Sequence, residues 1–250
     1  MYEGLTVGAA IPALNEAQSV GLVVRDLLAL RNEDQSPAID EVVVCDNGSS
    51  DATAERAVEA GARVVHEARH GYGRACLAAI RALAPSDIVL FTDADHAFHA
   101  AQAVSLLHVI STGADLAIGS RTLGEQDRGA LTRSQRAGNW VATTLIRLLW
   151  GQRVTDLGPY RAIRGTALAD LDMRDTAFGW TVEMQVKAVQ QGLITVEVPV
   201  DTRQRIGQSK ISGTLRGAVS AGCGILGMIA KLRWQQQRRT RSPLPAPPPI

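Results

Sequence analysis

Short apolar runs rich in Val and Ile alternate with helix-length segments through the first half of the chain, and this alternation constrains the fold more than any other feature. Parallel strands need a crossover long enough to hold a helix, so the pattern predicts βαβ units, an α/β fold with a mostly parallel central sheet flanked by helices. Strands are expected at residues 5–11, 41–45, 63–66, 88–92 and 115–119, and helices at 19–31, 52–60 and 73–84. Ser, Asp or Gly precedes each of these helices, as expected at helix starts. After Arg121 the pattern changes to a polar loop, an apolar helix at 137–150 and a segment at 155–164 that contains Asp156-Leu157-Gly158-Pro159 and reads as an inserted site loop. A helix at 181–191, a strand at 195–198 and a basic loop at 201–212 follow.

The last helix is expected at 214–233, and from Ser242 five prolines in eight residues exclude helix or central strand and predict a disordered tail. The domain reading is a catalytic unit at 1–213, a C-terminal amphipathic helix at 214–234 and a basic, Pro-rich tail at 235–250. The apolar run from Gly217 to Ala230 would span only ~21 Å as a helix, against a hydrocarbon core of ~30 Å. It is too short to cross a bilayer. Arg216 before it and Lys231, Arg233, Arg238, Arg239 and Arg241 after it suit a helix lying on an anionic membrane surface. A helix packed on the domain itself is the other placement open at this level.

With 250 residues, 46% hydrophobic and 20% charged, the chain has the material for one sizeable core. The net charge of +1 becomes negative once the terminal basic cluster is set aside, which argues against a nucleic-acid partner. Cys45, Cys76 and Cys223 form no paired spacing, so neither a disulfide framework nor a zinc site is indicated, and a reducing compartment fits. No basic stretch precedes the first apolar run, as a secretory signal would require, and a cytoplasmic protein, peripheral at the inner face of the cell membrane, is the expectation.

The sharpest chemical signal is Asp93-Ala94-Asp95 directly after the apolar run at 88–92. A buried parallel strand delivers such carboxylates to the ligand-binding edge of the sheet. Hard divalent cations, Mg²⁺ or Mn²⁺, take oxygen ligands and keep positions open for a diphosphate, so Asp93 and Asp95 are the candidate metal ligands. Other strand ends agree, because Pro12-Ala13-Leu14-Asn15-Glu16 follows the first strand and Asp46-Asn47-Gly48-Ser49-Ser50-Asp51 the second. Ser50 or Asp51 would also cap the next helix. Gly71-Tyr72-Gly73 opens a helix and would let backbone come close to a ligand, or form a tight turn. An aspartyl phosphatase also carries D-x-D after a strand, but needs it on the first one.

Taken together, P-A-L-N-E at 12–16, D-N-G-S-S-D-A-T at 46–53, H-G-Y-G-R-A at 70–75, D-A-D at 93–95, G-S-R at 119–121, T-D-L-G-P-Y-R at 155–161 and R-I-G-Q-S-K at 205–210 resemble a family 2 glycosyltransferase of the dolichyl-phosphate mannose synthase type. The resemblance implies the GT-A nucleotide-diphospho-sugar fold, with Pro12, Asn15, Glu16, Asp46, Asp51 and Gly71 around a donor nucleotide and Asp93 and Asp95 near metal and diphosphate. It implies a nucleotide-sugar donor such as UDP-glucose or GDP-mannose, a polyprenyl phosphate acceptor and inversion at the anomeric carbon. One departure concerns the metal site: similar enzymes carry Gln two places after the second aspartate, where this chain has Ala97. Water completes such a site more readily than His96 or His99, because hard cations prefer oxygen.

A phosphate monoester, with a second pKa of about 6, already presents an oxyanion at neutral pH, so its orientation matters more than its deprotonation. Arg121, Arg205, Ser209 and Lys210 are the candidates for holding it. Asp156, with Asp95, is the candidate catalytic carboxylate; it could accept a proton, hold Arg161 or another cation, or cap its loop. Glu183 is a further acid on a helix, read either as catalytic or as an exposed helix-face residue. Trp140, Leu145, Ile146, Leu149 and Trp150 could cradle a lipid or belong to the core. Transfer to a soluble hydroxyl acceptor and a non-catalytic nucleotide-sugar-binding module are the two alternatives.

Overall fold

The computed structural model describes residues 1–207 and 215–241. Seven strands, β1 (Val7–Ala13), β2 (Glu41–Asp46), β3 (Arg63–His66), β4 (Ile88–Phe91), β5 (Leu116–Ser120), β6 (Arg161–Arg164) and β7 (Thr195–Pro199), form one sheet in the order β3-β2-β1-β4-β6-β5-β7. The helices are α1 (Val20–Leu28), α2 (Thr53–Glu59), α3 (Tyr72–Ala82), α4 (Ala103–Ser111), α5 (Arg133–Trp150), α6 (Gly165–Leu171), α7 (Trp180–Gln190) and α8 (Leu215–Arg241). The parallel pairings β1–β2, β2–β3, β1–β4 and β5–β7 match the sequence expectation. Strand β6 does not, because it runs antiparallel between β4 and β5.

Side-chain alternation along the strands builds the core on both faces. Val7, Ala9 and Ile11 of β1 and Ile88 and Leu90 of β4 face one layer, where α1 contributes Val20, Val23, Val24 and Leu27 at helical spacing. Ala10, Val89 and Phe91 face the opposite layer, with Ala75, Cys76 and Ala79 of α3 and Trp180, Met184 and Ala188 of α7. Each large aliphatic side chain buried in this way contributes about 1.5–3 kcal/mol. β1 continues through Pro12, beyond the expected end, since Ala10 is the last residue paired with β4 and the missing Pro12 N–H falls where that neighbour has stopped.

Three elements escape the local pattern. β6 reads as loop because Arg161 and Arg164 bracket only two apolar residues, yet both neighbours bury it and Arg161 is only 1% exposed. The expected inserted loop is therefore confined to residues 155–160. Helices α4 and α6 lie in stretches assigned to no element from the sequence. α5 begins four residues before the expected start, where Thr132 and Gln135 form a capping box, and it stops at Gly151 in the left-handed conformation with φ 75°.

α8 extends past the expected end at residue 233 and packs on the domain. Met228, Ile229 and Leu232 bury against Ala142 and Ile146 of α5 and Val182 and Val186 of α7. Trp150 Nε1 donates to Gln236 Oε1 at 2.7 Å. Among the described residues no helix is long and apolar enough to cross a membrane. The basic loop beyond residue 207, with Ser209 and Lys210, and the Pro-rich stretch from Ser242 lie outside the described residues.

Candidate active site

β1, β2, β3 and β4 run parallel, so Ala13, Asp46, His66 and Phe91 end on one edge, and the chain that turns from β1 to β2 on one side meets β4 on the other. This reversal opens a crevice at the strand ends. Directly beyond β4, Ala94 is anchored in the core while Asp93 is half-buried and Asp95 is 7% exposed. Tyr72 Oη donates to Asp93 Oδ1 at 3.0 Å, and Ala97 N donates to Asp95 Oδ1 at 3.0 Å. Burial first, and the adjacent Asp95 charge second, push the Asp93 carboxyl up to about 7.

Two desolvated carboxylates in mutual repulsion form an oxygen-rich donor set that a hard divalent cation would relieve, so these residues fit such an ion. Among the described residues no three His, Cys, Asp or Glu side chains converge, which leaves other positions to water or to a diphosphate. His96 does not join the aspartates. At φ 60° it turns its Nε2 to Asp26 Oδ2 at 2.8 Å and Arg203 Nη2 at 2.6 Å.

A cavity of about 500 Å³ opens over this edge, walled by Pro12, Glu16, Asn47, Gly71, Tyr72, Asp93, Asp95, Phe178 and Arg205. Asn15 and Asp51 stand with Glu16 around an adjoining cleft of about 380 Å³. Asn15, in the left-handed region at φ 52°, receives Ser50 N at 2.8 Å on its Oδ1. Asp51 receives Ala17 N at 3.2 Å and Thr53 N at 3.1 Å, so it joins the β1 loop to the start of α2 and partly serves the capping role expected of it. Asp46 shares the edge but lies behind the wall, 7% exposed, with Ser49 N at 3.1 Å and His66 Nδ1 at 3.2 Å on its oxygens.

The glycine pair at Gly71 and Gly73 serves a close backbone approach different from the one expected of it. A Cβ at Gly71 would come within 2.2 Å of Thr176 O, and one at Gly73 within 2.2 Å of Asp175 O, so the glycines admit the segment before α7 against the start of α3. Gly73→Ala is therefore expected to lose about 1–3 kcal/mol by overpacking, or roughly 2–4 °C of Tm per kcal/mol, measured by thermal unfolding. An unchanged Tm would show that the segment yields freely.

Beyond the C-terminal end of β5, Arg121 meets the loop that enters β6. Arg121 Nε and Nη2 each lie 2.7 Å from an oxygen of Asp156, and Arg121 N adds a bond of 2.8 Å. Asp156 is 1% exposed and both oxygens are engaged, which favours, of the roles open to it, that of holding a cation; the cation is Arg121. Arg161 instead spends its Nε on Gly158 O at 2.7 Å and its Nη1 on Thr181 O at 3.0 Å, and burial pulls its pKa down to about 10. A second cavity of about 250 Å³ runs from Arg121 along Asn139, Leu157 and Ile225, and shares Tyr72, Asp93 and Phe178 with the first.

Arg205, expected beside Arg121, stands in the first cavity. Its Nη2 is 2.9 Å from Glu16 Oε1 and its Nη1 is 3.3 Å from Asp95 Oδ2. Its loop is tied there by Ile206 N to Asp95 O at 2.9 Å and Arg203 N to Ala97 O at 3.0 Å.

A family model described as glycosyl transferase family 2 matches residues 9–171, more than half of the chain, and the matched span carries the strand-end carboxylates and Arg121. The chain belongs to glycosyl transferase family 2. This glycosyltransferase is 35% identical over 219 residues to an uncharacterized glycosyltransferase of Mycobacterium tuberculosis, covering 87% of this chain and 95% of that one. It is 30% identical over 241 residues to an undecaprenyl-phosphate mannosyltransferase of Micrococcus luteus, covering 91% of this chain and 96% of that one. Its GT-A fold is shared with glucosyl-3-phosphoglycerate synthase of Mycobacterium tuberculosis, solved with Mn²⁺, UDP and phosphoglyceric acid, at TM-score 0.74 and 21% identity over 92% of this chain and 79% of that one.

The geometry of this glycosyltransferase also brings forward residues that the sequence reading did not assign to the site. Asn47, 4% exposed, donates to Glu67 O and Arg69 O at 2.9 Å each and accepts from Gly71 N at 2.8 Å, so it shapes the first cavity from beneath. Its place in the D-N-G-S-S-D run was the available signal. Tyr72, common to both cavities with Phe178, had the same kind of signal in the H-G-Y-G-R-A run, whereas Phe178 had none.

Proposed function

We propose that this glycosyltransferase moves a hexose from a nucleotide-sugar to a polyprenyl phosphate with inversion, the donor lying in the first cavity and the acceptor phosphate in the second. The observation that carries the reading is that the two cavities meet at Asp93. Displacement with inversion needs nucleophile and leaving group on opposite sides of the anomeric carbon, and a shared wall between two cavities offers that arrangement.

Pro12, Asn15, Glu16, Asp51 and Gly71 would surround the nucleotide, with Asp46 supporting the loop behind them. Asp93 and Asp95 would hold Mg²⁺ or Mn²⁺, which supplies positive charge to the departing diphosphate. Arg121, its guanidinium plane fixed by Asp156, orients the acceptor phosphate. The phosphate oxygen forms the new bond to the anomeric carbon as the bond to the diphosphate oxygen breaks, and the electron pair leaves with the nucleoside diphosphate. No proton has to be removed from a phosphate dianion, consistent with an Asp156 whose oxygens are both occupied. Arg205, between Glu16 and Asp95, stands where a diphosphate would draw it away from the carboxylates.

A peripheral, inner-face location is supported by the large apolar side chains that α5 and α8 leave in solvent. Trp140 and Leu148 are 69% and 70% exposed, and Trp234 is 52% exposed with Arg238 stacked on it at 3.8 Å. Aromatic and basic side chains together suit a membrane surface.

The deciding experiment incubates the protein with UDP-glucose or GDP-mannose, undecaprenyl phosphate in detergent, and either Mn²⁺ or EDTA. Release of nucleoside diphosphate with a lipid-linked hexose, abolished by EDTA, is expected. Turnover only with a soluble acceptor such as phosphoglyceric acid would overturn the lipid assignment, and nucleotide binding without any turnover would mark a non-catalytic module.

A further inference from the structure

We propose that Glu183 is a positioning residue for sugar transfer: its buried carboxylate fixes the segment from Arg174 to Phe178, and through it the wall that the two cavities share. The proposal rests on the functional reading above and adds a residue that lines neither cavity.

Glu183 stands in the first turn of α7, where an acid ordinarily faces water, yet it is 2% exposed. Its Oε2 accepts from Asp175 N at 2.7 Å and from Arg174 N at 3.1 Å. Its Oε1 lies 2.7 Å from Lys187 Nζ one turn later, and the same ammonium donates to Asp172 O at 2.6 Å. A carboxylate withdrawn from water is costly unless its lone pairs are used, and charge-assisted bonds to two backbone amides and an ammonium use them. The chain geometry between Asp172 and Asp175 is thus specified by two side chains, Glu183 at the amides of Arg174 and Asp175 and Lys187 at the carbonyl of Asp172.

The other end of the segment is held by α3. The first amides of a helix have no partner inside it, and here Gly73 N donates to Ala177 O at 3.1 Å and Arg74 N to Thr176 O at 3.3 Å. From behind, Met228 of α8 fills the space at Gly179, where an added Cβ would lie 3.0 Å from Met228 Cβ. Between these supports Thr176, Ala177 and Phe178 face the first cavity, and Phe178 also faces the second. A shift of this wall alters the distance from acceptor phosphate to anomeric carbon, while Pro12, Glu16 and the other nucleotide contacts stay in place.

The test compares wild type, Glu183→Gln and Lys187→Met with whichever of UDP-glucose or GDP-mannose is turned over onto undecaprenyl phosphate. Glu183→Gln keeps the shape but removes the charge and one acceptor. It is expected to lower transfer kcat by about 100-fold, as an ångström-scale misplacement does, with donor KM unchanged within roughly threefold. Lys187→Met should move the same parameter in the same direction. Hydrogen exchange should quicken at Arg174 and Asp175 while the amides of β1 and β4 keep their protection. The proposal is overturned if kcat stays within about twofold of wild type, or if its loss only tracks a loss of folded protein, with Tm lowered and the amides of β1 and β4 deprotected as well. A wild-type protein that turns over neither donor defeats the functional reading; exchange at Arg174 and Asp175 then still decides whether Glu183 holds the segment.

Discussion

Asp93→Asn is expected to lower sugar transfer by about a thousandfold or more, the size of effect that several kcal/mol of lost metal assistance produces, and yet to leave the metal-free protein more heat-stable. The sign follows from the Asp93 carboxyl, raised from 3.8 to about 7 by burial and by Asp95. A group raised in the folded state contributes stability below its unfolded pKa and loses it as pH climbs through its folded pKa. At pH 8 the wild-type carboxylate is therefore held against its preference. Asparagine keeps the oxygen that accepts from Tyr72 and removes the charge. A gain of about 1 kcal/mol, roughly 2–4 °C in Tm, is expected in EDTA at pH 8 and should vanish near pH 4. Mn²⁺ should raise the Tm of wild type and not of the variant. A variant that melts below wild type in EDTA would show that the Asp93 carboxylate is not held against its preference, and one that still responds to Mn²⁺ would remove Asp93 from the metal site.

The second large effect concerns the Arg121–Asp156 pair. Asp156→Asn leaves a guanidinium, only 16% exposed, without its counter-charge, and one-sided loss of such a buried pair costs about 3–5 kcal/mol of stability. Transfer is expected to drop by about 100-fold or more through misorientation of the phosphate. Arg121→Lys keeps a positive charge but loses the two-pronged fit, so it should fall about as far. The double variant should be little worse than either single one, because both disturb a single arrangement. Losses that multiply would show Asp156 acting by itself, as a proton acceptor, and would sink the orienting role. Steady-state kinetics with undecaprenyl phosphate, read beside thermal unfolding of each variant, separates the two.

What could be read in advance divides by the range of the interaction. The first five strands and helices α1, α2 and α3 are legible because a buried strand must be largely apolar, and a crossover helix must repeat its apolar face every three to four residues. The D-A-D motif was legible for the same reason, since it terminates such a strand. Glu183 stood out only as an acid that was either catalytic or exposed, because nothing local tells an acid in the first turn of a helix that the preceding loop will fold back upon its carboxylate. Arg205 was expected beside Arg121 for the charge a phosphate needs, whereas backbone bonds to Asp95 and Ala97 hold its loop at the first cavity.

The sequence alone determined the α/β plan, the edge at which the carboxylates collect and the family, because each depends on periodicity or on residues adjacent in the chain. Only the tertiary structure decided that β6 enters antiparallel between β4 and β5, that Asp156 grips Arg121 and leaves Arg161 to backbone carbonyls, and that α8 seals the domain through Met228, Ile229 and Leu232. These contacts join segments far apart in the chain. Short-range patterning sets which face of an element is apolar, but the partner it meets there is selected by packing and by the need to satisfy every buried charge.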